Sequence, residues 1–409
     1  MHLPSHRNQQ ELLASPGLVR FVLAQGKDGP EATLLIKAST LELKYLLRLK
    51  KLRLYLFQLA EGRVGYGVQI DDDPEHSGVA WSVFEYEDEL AGALVLRTNF
   101  QCVVFLFNEI AVNVAWGNVH LDLSGSVPTH LLNSAKLGPI PDASAFQDEV
   151  HATLDTLRLG EGAGVTGVLL DWATLPEWHP IHNHYITNQL QRGLLSIFEE
   201  NEGSQQEEIA HWLIDNLDPE GAFRNPQVHE EGGVRELCDL LMSHQYGAFL
   251  IESKTLSIWV RPELPRRTKL TSQIRRHHLP EAIRQITGTV KNLRRGLRIT
   301  DHRGTEIQVE REALPHVIVL VPDLTLLHDA TEFGGEFFKN QCLNCGSFFH
   351  ILDPAQLLRI VQVAGSLASR VKSITALMAF DHFLMKRAEY SWGENTPDFD
   401  VIHRFVDEE

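Results

Sequence analysis

Short apolar runs separated by tight turns make up most of the first 140 residues, a pattern that is typical of strands. The stretch RLYLFQLAEGRVGYGVQI (53–70) predicts a hairpin that turns at Glu61–Gly62, because two strand-forming runs flank a glycine-containing turn. The stretch QCVVFLFNEIAVNVAWGNVHLDL (101–123) predicts two or three further strands. The spacing of leucines predicts one early helix at Thr40–Lys51. We therefore expect a β-rich α+β domain in this half.

The second half of the chain has the pattern of helices and buried strands. The segments 205–217 and 279–297 place apolar residues three and four positions apart, which predicts amphipathic helices. Apolar runs at 316–324 and at the start of 349–367 predict buried strands, the second of them followed by a helix. Strands that alternate with helices in this way favour an α/β domain built on a central sheet.

The stretch RELCDLLMSHQYGAFLIESK (235–254) carries charges where a core strand should have none. Its pattern predicts a hairpin of two strands, Arg235–Met242 and Ala248–Ser257. When the turn between them loops out, the register places Asp239 directly opposite Glu252. Opposed residues lie about 4.5–5.5 Å apart at Cβ, so two carboxylates held there need a shared proton or a cation between them.

The same register distributes the other charges of the hairpin between its two faces. Side chains alternate along a strand, so Lys254 shares the face of Glu252. Glu236 falls on the opposite face from Asp239, and we expect it to be a structural partner of an arginine. Carboxylates beside a lysine suit a hard divalent cation, which would also bind phosphate oxygens of a substrate. The alternative is an Asp–Lys–Glu salt-bridge cluster on a solvated face of the sheet.

The order of these residues resembles the PD-(D/E)XK restriction-endonuclease-like nuclease superfamily. Asp239 comes first, and Glu252-Ser253-Lys254 follows the apolar run AFLI. The first half of the signature is degenerate, since no Pro precedes Asp239 and Leu240 follows it. A predicted helix and a possible strand in AFRNPQV precede the hairpin, as in the superfamily. The resemblance covers roughly residues 200–390.

The resemblance implies a Mg²⁺- or Mn²⁺-dependent endonuclease, a hydrolase of phosphodiester bonds, with a restriction-endonuclease-like three-layer domain and a central mixed sheet. Asp239, Glu252 and the Ser253 backbone carbonyl would bind the metal ion. Lys254 would position the attacking water.

The resemblance also points to residues on the two flanking helices. Members of the superfamily often carry a glutamate on the preceding helix that reaches the metal, and both Glu207 and Glu208 match this position. Some branches place a glutamine on the later helix that helps to hold the metal-bound water, and Gln285 matches it. The choice between Glu207 and Glu208 stays open on the sequence.

Lysines and arginines concentrate in one segment of an otherwise acidic chain. The net charge of −17 argues against a protein that coats nucleic acid non-specifically. Between Arg261 and Arg303, however, only three acids interrupt 12 Lys or Arg residues. Such a surface could follow a phosphate backbone, although a basic helix face is also a common solvated surface. The candidate nucleic-acid-binding residues are Arg275, Arg276, Arg284, Lys291, Arg294, Arg295 and Arg298.

Length and composition describe an ordinary globular chain of more than one domain. At 409 residues, with 43% hydrophobic residues, the chain is long for a single core. Its apolar runs, such as Val317–Val321, are too short to cross a membrane, and neither a signal nor a transit peptide pattern opens the chain. The chain has four cysteines, so a disulfide framework is not expected. We expect a cytoplasmic protein that does not associate with membranes.

We expect three parts in the chain. Residues 1–160 would form a regulatory or target-recognition domain, and residues 205–409 the nuclease-like domain. Residues 161–204 would form a helical connector, with a helix at Tyr185–Glu199 that leads into an acidic joint.

Two clusters of metal-binding residue types suggest a weaker zinc or redox hypothesis. Cys342 and Cys345 form a lone CxxC, to which His350 could add a third ligand, but a structural zinc site needs four. The histidines of EWHPIHNHY (177–185) lack a completing carboxylate pattern. We expect both clusters to be structural.

The hypothesis that unites most of these features is a metal-dependent nuclease, with DNA favoured over RNA. The resemblance also suggests an anti-phage defence effector in bacteria, acting with protein partners in a multi-component system or as a homo-oligomer. The alternative is a subunit that binds nucleic acid or serves as a scaffold, having kept the fold and lost catalysis.

Overall fold

The structure is a computed structural model in which two compact units can be described. The first comprises Met1–Asn183 with Ser196–Phe198, and the second comprises His184–Leu195 with Glu199–Glu409. The described residues are 2–50, 52–70, 78–99, 101–120, 129–140, 143–159, 167–172, 177–188, 190–328 and 331–401. Residues 161–166 and 173–176 of the predicted connector therefore lie outside the described residues.

The first unit contains two sheets. A mixed sheet has the strand order β1-β2-β6-β7-β9, and an antiparallel sheet has the order β5-β4-β3-β8. The strands are β1 Leu18–Gly26, β2 Gly29–Lys37, β3 Leu52–Gln58, β4 Val64–Ile70, β5 Gly78–Val83, β6 Gln101–Phe107, β7 Asn113–His120, β8 Gly167–Trp172 and β9 His179–Pro180. The helices are α1 His6–Ala14, α2 Thr40–Leu49, α3 Glu87–Asn99, α4 Thr129–Asn133 and α5 Ala143–Leu159.

The local signals of the first unit produce the predicted elements. The hairpin at 53–70 is β3 and β4, joined by a short 3₁₀ turn in which Glu61 is left-handed. The early helix is α2, which begins with a capping box between Ser39 and Glu42 and ends at a left-handed Lys50. The expected β-rich α+β composition of this half is confirmed.

The second unit is built on a five-stranded mixed sheet of order β12-β15-β16-β18-β19. A three-stranded sheet of order β14-β13-β17 and a two-stranded hairpin, β10-β11, complete it. The strands are β10 Asn183–Ile186, β11 Arg192–Leu195, β12 Gly221–Arg224, β13 Gln227–Glu230, β14 Gly233–Glu236, β15 Leu240–His244, β16 Gly247–Ser253, β17 Ile299–Thr300, β18 His316–Leu320 and β19 Phe348–Leu352. The helices are α6 Glu202–Asp215, α7 Arg267–Gln273, α8 Leu279–Arg294, α9 Gly335–Cys345, α10 Pro354–Arg370 and α11 Ala376–Ser391.

The core of the second unit lies on the central sheet. Strands β16 and β18 run parallel, and Leu250, Val317 and Val319 on them are wholly buried. Helix α8 packs against both strands, and Ile286 and Leu293 of its apolar face are wholly buried. The predicted helices α6, α8 and α10 and the buried strands β18 and β19 are all present, which confirms the α/β fold class.

The prediction of a helix at Tyr185–Glu199 is wrong, because this segment contains the hairpin β10-β11. The chain turns at Leu190, which is left-handed (φ 59°), a conformation that a helix cannot contain. The Thr187 amide donates to the Gln191 carbonyl at 2.9 Å, and the Gln191 amide donates to Thr187 Oγ1 at 3.0 Å, which closes the turn. The Tyr185 ring occupies the space that a side chain at Gly193 would need, so these two residues specify the cross-strand packing.

Helices α7 and α8 are continuous through a segment of π-helix, Ile274–His278. Such segments are rare and often occur at functional sites. Among the described residues, no helix is long and apolar enough to cross a membrane.

Candidate active site

The register predicted for the central hairpin is confirmed. Strands β15 and β16 pair with Leu240 opposite Ile251 and Ser243 opposite Ala248. The ladder continues to His244 opposite Gly247, so the turn is shorter than expected. Asp239 lies one residue before the ladder and Glu252 one residue after Ile251, at the same end of the strand pair.

The prediction that Glu236 points away from Asp239 is wrong. Alternation would require one continuous strand through both residues, but the chain changes sheets between β14 and β15. The Leu237 amide donates to the Pro226 carbonyl at 2.8 Å, which interrupts the strand. The charges of Glu236 and Asp239 consequently interact, and this interaction adds to the raised pKa of Glu236.

Asp239, Glu252 and Lys254 come together where β16 ends. The Ser253 amide donates to Oδ2 of Asp239 at 2.5 Å, which fixes the carboxylate beside the strand. Lys254 Nζ lies 3.0 Å from Oε1 of Glu252, and the Lys254 amide donates to the Leu320 carbonyl at 2.8 Å. The Glu252 and Lys254 side chains are only 6% and 15% exposed, so water screens this ion pair weakly.

Helix α6 brings a further carboxylate, Glu207, to the same place. Its charge and that of Asp239 interact, whereas the adjacent Glu208 accepts hydrogen bonds from Tyr185 and Arg224. Arg224, on β12, is also 3.5 Å from Glu207. The structure therefore distinguishes the two candidates: the charge of Glu207 interacts with Asp239, whereas Glu208 is bound to Tyr185 and Arg224.

Gln206 anchors this part of α6 to the sheet. Its side-chain amide donates to Ser253 Oγ at 2.9 Å and to the Leu320 carbonyl at 3.1 Å. The residue is buried, so both bonds are shielded from water. Sequence reasoning missed Gln206 and Arg224, because only the packing of α6 on the sheet brings them together with the end of β16.

We call Glu207, Glu236, Asp239 and Glu252 the acidic cluster. Burial raises the pKa of Glu207 and of Glu252 to about 7, and the charge of Asp239 adds to both shifts. Burial likewise raises the pKa of Asp239 and of Glu236, although Glu236 is the most exposed of the four. Several carboxyl groups thus compete for protons near neutral pH, and Lys254 and Arg224 balance their charge incompletely.

The donor set of the acidic cluster fits a hard divalent cation. Oxygen ligands and an excess of negative charge are what Mg²⁺ and Mn²⁺ prefer. No group of three or more His, Cys, Asp or Glu residues in the described part of the chain has the arrangement of a metal site. Mg²⁺ is commonly held by one or two carboxylates with water and phosphate oxygens, and Asp239 with Glu252 is such a pair.

Other predicted site residues lie outside these contacts. Gln285 is exposed on α8, and its side chain makes no hydrogen bond with any described residue. The role of Gln285 in holding the metal-bound water stays a prediction, as does the binding of the metal ion by the Ser253 carbonyl.

The basic candidates differ in how far they are engaged within the protein. Arg275 is paired with Glu332. Arg294 donates to the Gly346 carbonyl, Arg298 lies 3.5 Å from Glu306, and Arg295 interacts with Glu230. Arg276 interacts in the same way with Glu332, so the exposed candidates that form no ion pair with a described residue are Arg284 and Lys291.

The π-helical segment places a histidine next to Lys254. His278 is half-buried, and burial together with the Lys254 charge lowers its pKa. In the sequence this segment is the run IRRHH (274–278), but helical spacing alone does not distinguish a π-helical segment from the α-helix that follows it.

The cysteine and histidine clusters show no metal site in the described residues. Burial raises the pKa of the Cys342 thiol, the opposite of an activated thiolate. His350 forms a buried pair with His316, in which its Nε2 is 3.1 Å from Nδ1 of His316. His179 packs on Trp116 in the first unit.

The family model described as NERD, nuclease-related domain, matches residues 202–321. The match begins with α6 and ends just after β18, so it includes the acidic cluster, Lys254 and α8. This region is therefore similar to a nuclease-related domain family of the PD-(D/E)XK-like kind. Comparisons with curated proteins and with solved structures found no match.

Proposed function

We propose that the nuclease-related domain is an active Mg²⁺- or Mn²⁺-dependent endonuclease that hydrolyses phosphodiester bonds, with DNA as the preferred substrate. The observation that carries this proposal is the convergence of Asp239, Glu252 and Lys254 at the end of β16. The excess of carboxylates with raised pKa around one lysine favours a cation-binding site over a charge-balanced salt-bridge cluster.

The side chains have distinct roles in this proposal. Asp239 and Glu252 would hold the cation, which supplies Lewis-acid stabilisation of charge on the phosphate. Glu207, which lies on α6, would bind the cation or a water molecule next to the cation. Lys254, whose ammonium group lies 3.0 Å from Glu252, would orient the attacking water and stabilise charge that develops on the phosphate.

The setting of the activity is also part of the proposal. We expect residues 1–160 to select the target or to restrain the nuclease. A cytoplasmic anti-phage effector, acting with protein partners or as a homo-oligomer, would use such a two-part arrangement.

The test is cleavage of plasmid, single-stranded DNA and RNA by the full chain with Mg²⁺, Mn²⁺ or EDTA. We expect cleavage that EDTA abolishes and that Asp239→Ala reduces by about a hundredfold or more, since a metal ligand and its electrostatic stabilisation are lost. Glu312→Gln is a matched control, because Glu312 is an exposed acid outside the acidic cluster.

A catalytically inactive scaffold predicts a different result. It would cleave no nucleic acid under any condition, including in the presence of lysate from cells that carry the native operon, and Lys254→Ala would leave nucleic-acid binding unchanged. Cleavage that survives Asp239→Ala would also contradict the proposed site.

A further inference from the structure

Glu208 is held in a hydrogen-bond chain that begins on the hairpin β10-β11. The Tyr185 hydroxyl donates to Oε2 of Glu208 and lies 3.2 Å from the Glu208 carbonyl oxygen. The other carboxylate oxygen, Oε1, accepts a hydrogen bond from Nη1 of Arg224. A charged donor and a phenol thus occupy both oxygens of Glu208, and such charge-assisted hydrogen bonds are the strong ones.

Tyr185 is well placed to fix this carboxylate. Its ring lies against Gly193 and is 5.8 Å from the ring of Trp212, so packing on both sides restricts it. Burial and the hydrogen bond to Glu208 raise the pKa of the phenol above its ordinary value, so the hydroxyl keeps its proton. Tyr185 therefore acts only as a donor toward Glu208.

Arg224 lies between the two neighbouring glutamates but is turned toward one of them. Its Nη1 is bound to Glu208, whereas its Nη2 is 3.5 Å from Oε2 of Glu207 and 3.4 Å from Ser204 Oγ. The side chains of the two glutamates are similarly exposed, at 17% and 16%, so solvent does not explain the preference. The hydrogen-bond chain from Tyr185 does.

We propose that Glu208 and Tyr185 are positioning residues that limit the Arg224 guanidinium to a loose ion pair with Glu207, at 3.5 Å. This proposal rests on the proposed function, because it assigns Glu207 to the cation and Glu208 to the arginine. Without the charge on Glu208, Arg224 shortens this ion pair to a direct hydrogen-bonded pair with Glu207. That pair competes with the cation for the same carboxylate, so the affinity for the cation falls.

The test is the Mg²⁺ midpoint of the full chain, measured by the rise in melting temperature with added Mg²⁺ and by DNA cleavage. Glu208→Gln keeps the shape of the side chain and an acceptor for Tyr185 but removes the charge. We expect the midpoint to rise about tenfold, the effect of one charge-assisted hydrogen bond, with little change in the rate at saturating Mg²⁺. Adding Arg224→Gln to Glu208→Gln should restore the midpoint, since the competing cation is gone. Tyr185→Phe, which keeps the ring packing, should shift the midpoint in the same direction by less.

Asn188→Ala is the matched structural control. Asn188 Nδ2 donates to the Asp215 carbonyl at 3.0 Å, so the substitution also removes one hydrogen bond between the hairpin and α6, two helical turns from Glu208. We expect it to lower the melting temperature without moving the midpoint. If Glu208→Gln behaves in the same way, Glu208 is only structural and this proposal is overturned. If the wild type shows neither Mg²⁺-dependent stabilisation nor cleavage, the proposed function fails as well.

Discussion

Some carboxyl groups of the acidic cluster keep their protons near neutral pH, which reduces the repulsion between them. Its carboxyl groups are at the end of a buried strand, and burial is the largest cause of their raised pKa. Near pH 7 some of them keep a proton, which a bound cation would replace. Protonation of these carboxyl groups, the binding of a cation and the free energy of unfolding are therefore coupled.

The stability of the metal-free protein should fall as pH rises. The pKa of Glu207 and Glu252 is about 7 in the folded chain, against an ordinary value of 4.5. Between these two values the folded state binds more protons than the unfolded state, so the free energy of unfolding decreases as pH increases. Melting temperatures in EDTA from pH 5 to 8 measure this, and added Mg²⁺ should recover more stability at pH 8 than at pH 5. The slope should be smaller for Glu252→Gln, and an unchanged slope would count against the assignment.

Lys254 should contribute more to stability at high pH than at low pH. Lys254→Ala leaves the nearly buried Glu252 carboxylate without its nearest cation. We expect a loss of about 1–3 kcal/mol in the free energy of unfolding at pH 8, and less at pH 5.5, where the carboxyl group can take up a proton. Urea unfolding at the two pH values checks this. An equal loss at both would show that the lost stability comes from the packing of the side chain.

At the scale of elements, α6 determines which residues join the end of β16. Its N-cap is Asn201, and the buried Glu202 accepts hydrogen bonds from the backbone after the strand, at Trp259 among others. Gln206, one turn later, bonds to both β16 and β18. The helix is thus fixed to the sheet at the turn that carries Glu207.

Gln206→Ala should loosen this attachment. The substitution removes two buried donors and leaves the Leu320 carbonyl without one of its partners, so we expect a loss of about 1–3 kcal/mol in the free energy of unfolding. Urea unfolding measures the loss. Because Glu207 would be less well positioned, the Mg²⁺ midpoint should also rise. Destabilisation with an unchanged midpoint would separate the helix attachment from the site.

At the scale of the whole molecule, charge is distributed unevenly. A chain of net charge −17 presents a basic surface on α8 and the segment before it. The sequence counts these cations alike, whereas the structure divides the candidate residues into those that interact with groups of the protein and those that form no ion pair with a described residue. The helix of 16 residues is about 24 Å long, so its far end lies well away from Lys254.

Arg284 and Lys291 should contribute more to nucleic-acid binding than Arg298. The first two are exposed and form no ion pair with a described residue, whereas Arg298 has a carboxylate partner in Glu306. We expect Arg284→Ala with Lys291→Ala to reduce the slope of log affinity against log salt by about one for each phosphate that the protein no longer neutralises. Binding titrations in EDTA at several salt concentrations measure the slope. A larger effect from Arg298→Ala would place the nucleic acid at the other end of the helix.

The sequence by itself predicted the main helices and the buried strands of the second unit, but neither the hairpin β10-β11 nor the break between β14 and β15. Helical spacing located α6 and α8, the apolar runs located β18 and β19, and the turn fixed the register of β15 with β16. These are local or nearest-neighbour properties, which periodicity reads directly. The resemblance to nucleases rested on that register and on the residue types it opposed, and the family comparison supports it.

Only the tertiary structure decided which charges belong together. The alternation of side chains along a strand predicted that Glu236 lies outside the site. The chain passes from one sheet to another at Leu237, however, and alternation holds only within a single strand. The choice between Glu207 and Glu208 depended on Arg224 and Tyr185, which are distant in sequence. The hairpin that replaced the predicted helix depended on a left-handed Leu190. The first two outcomes come from contacts between segments that are apart along the chain, which a local pattern does not contain, whereas the hairpin comes from a turn conformation that the spacing of apolar residues does not show.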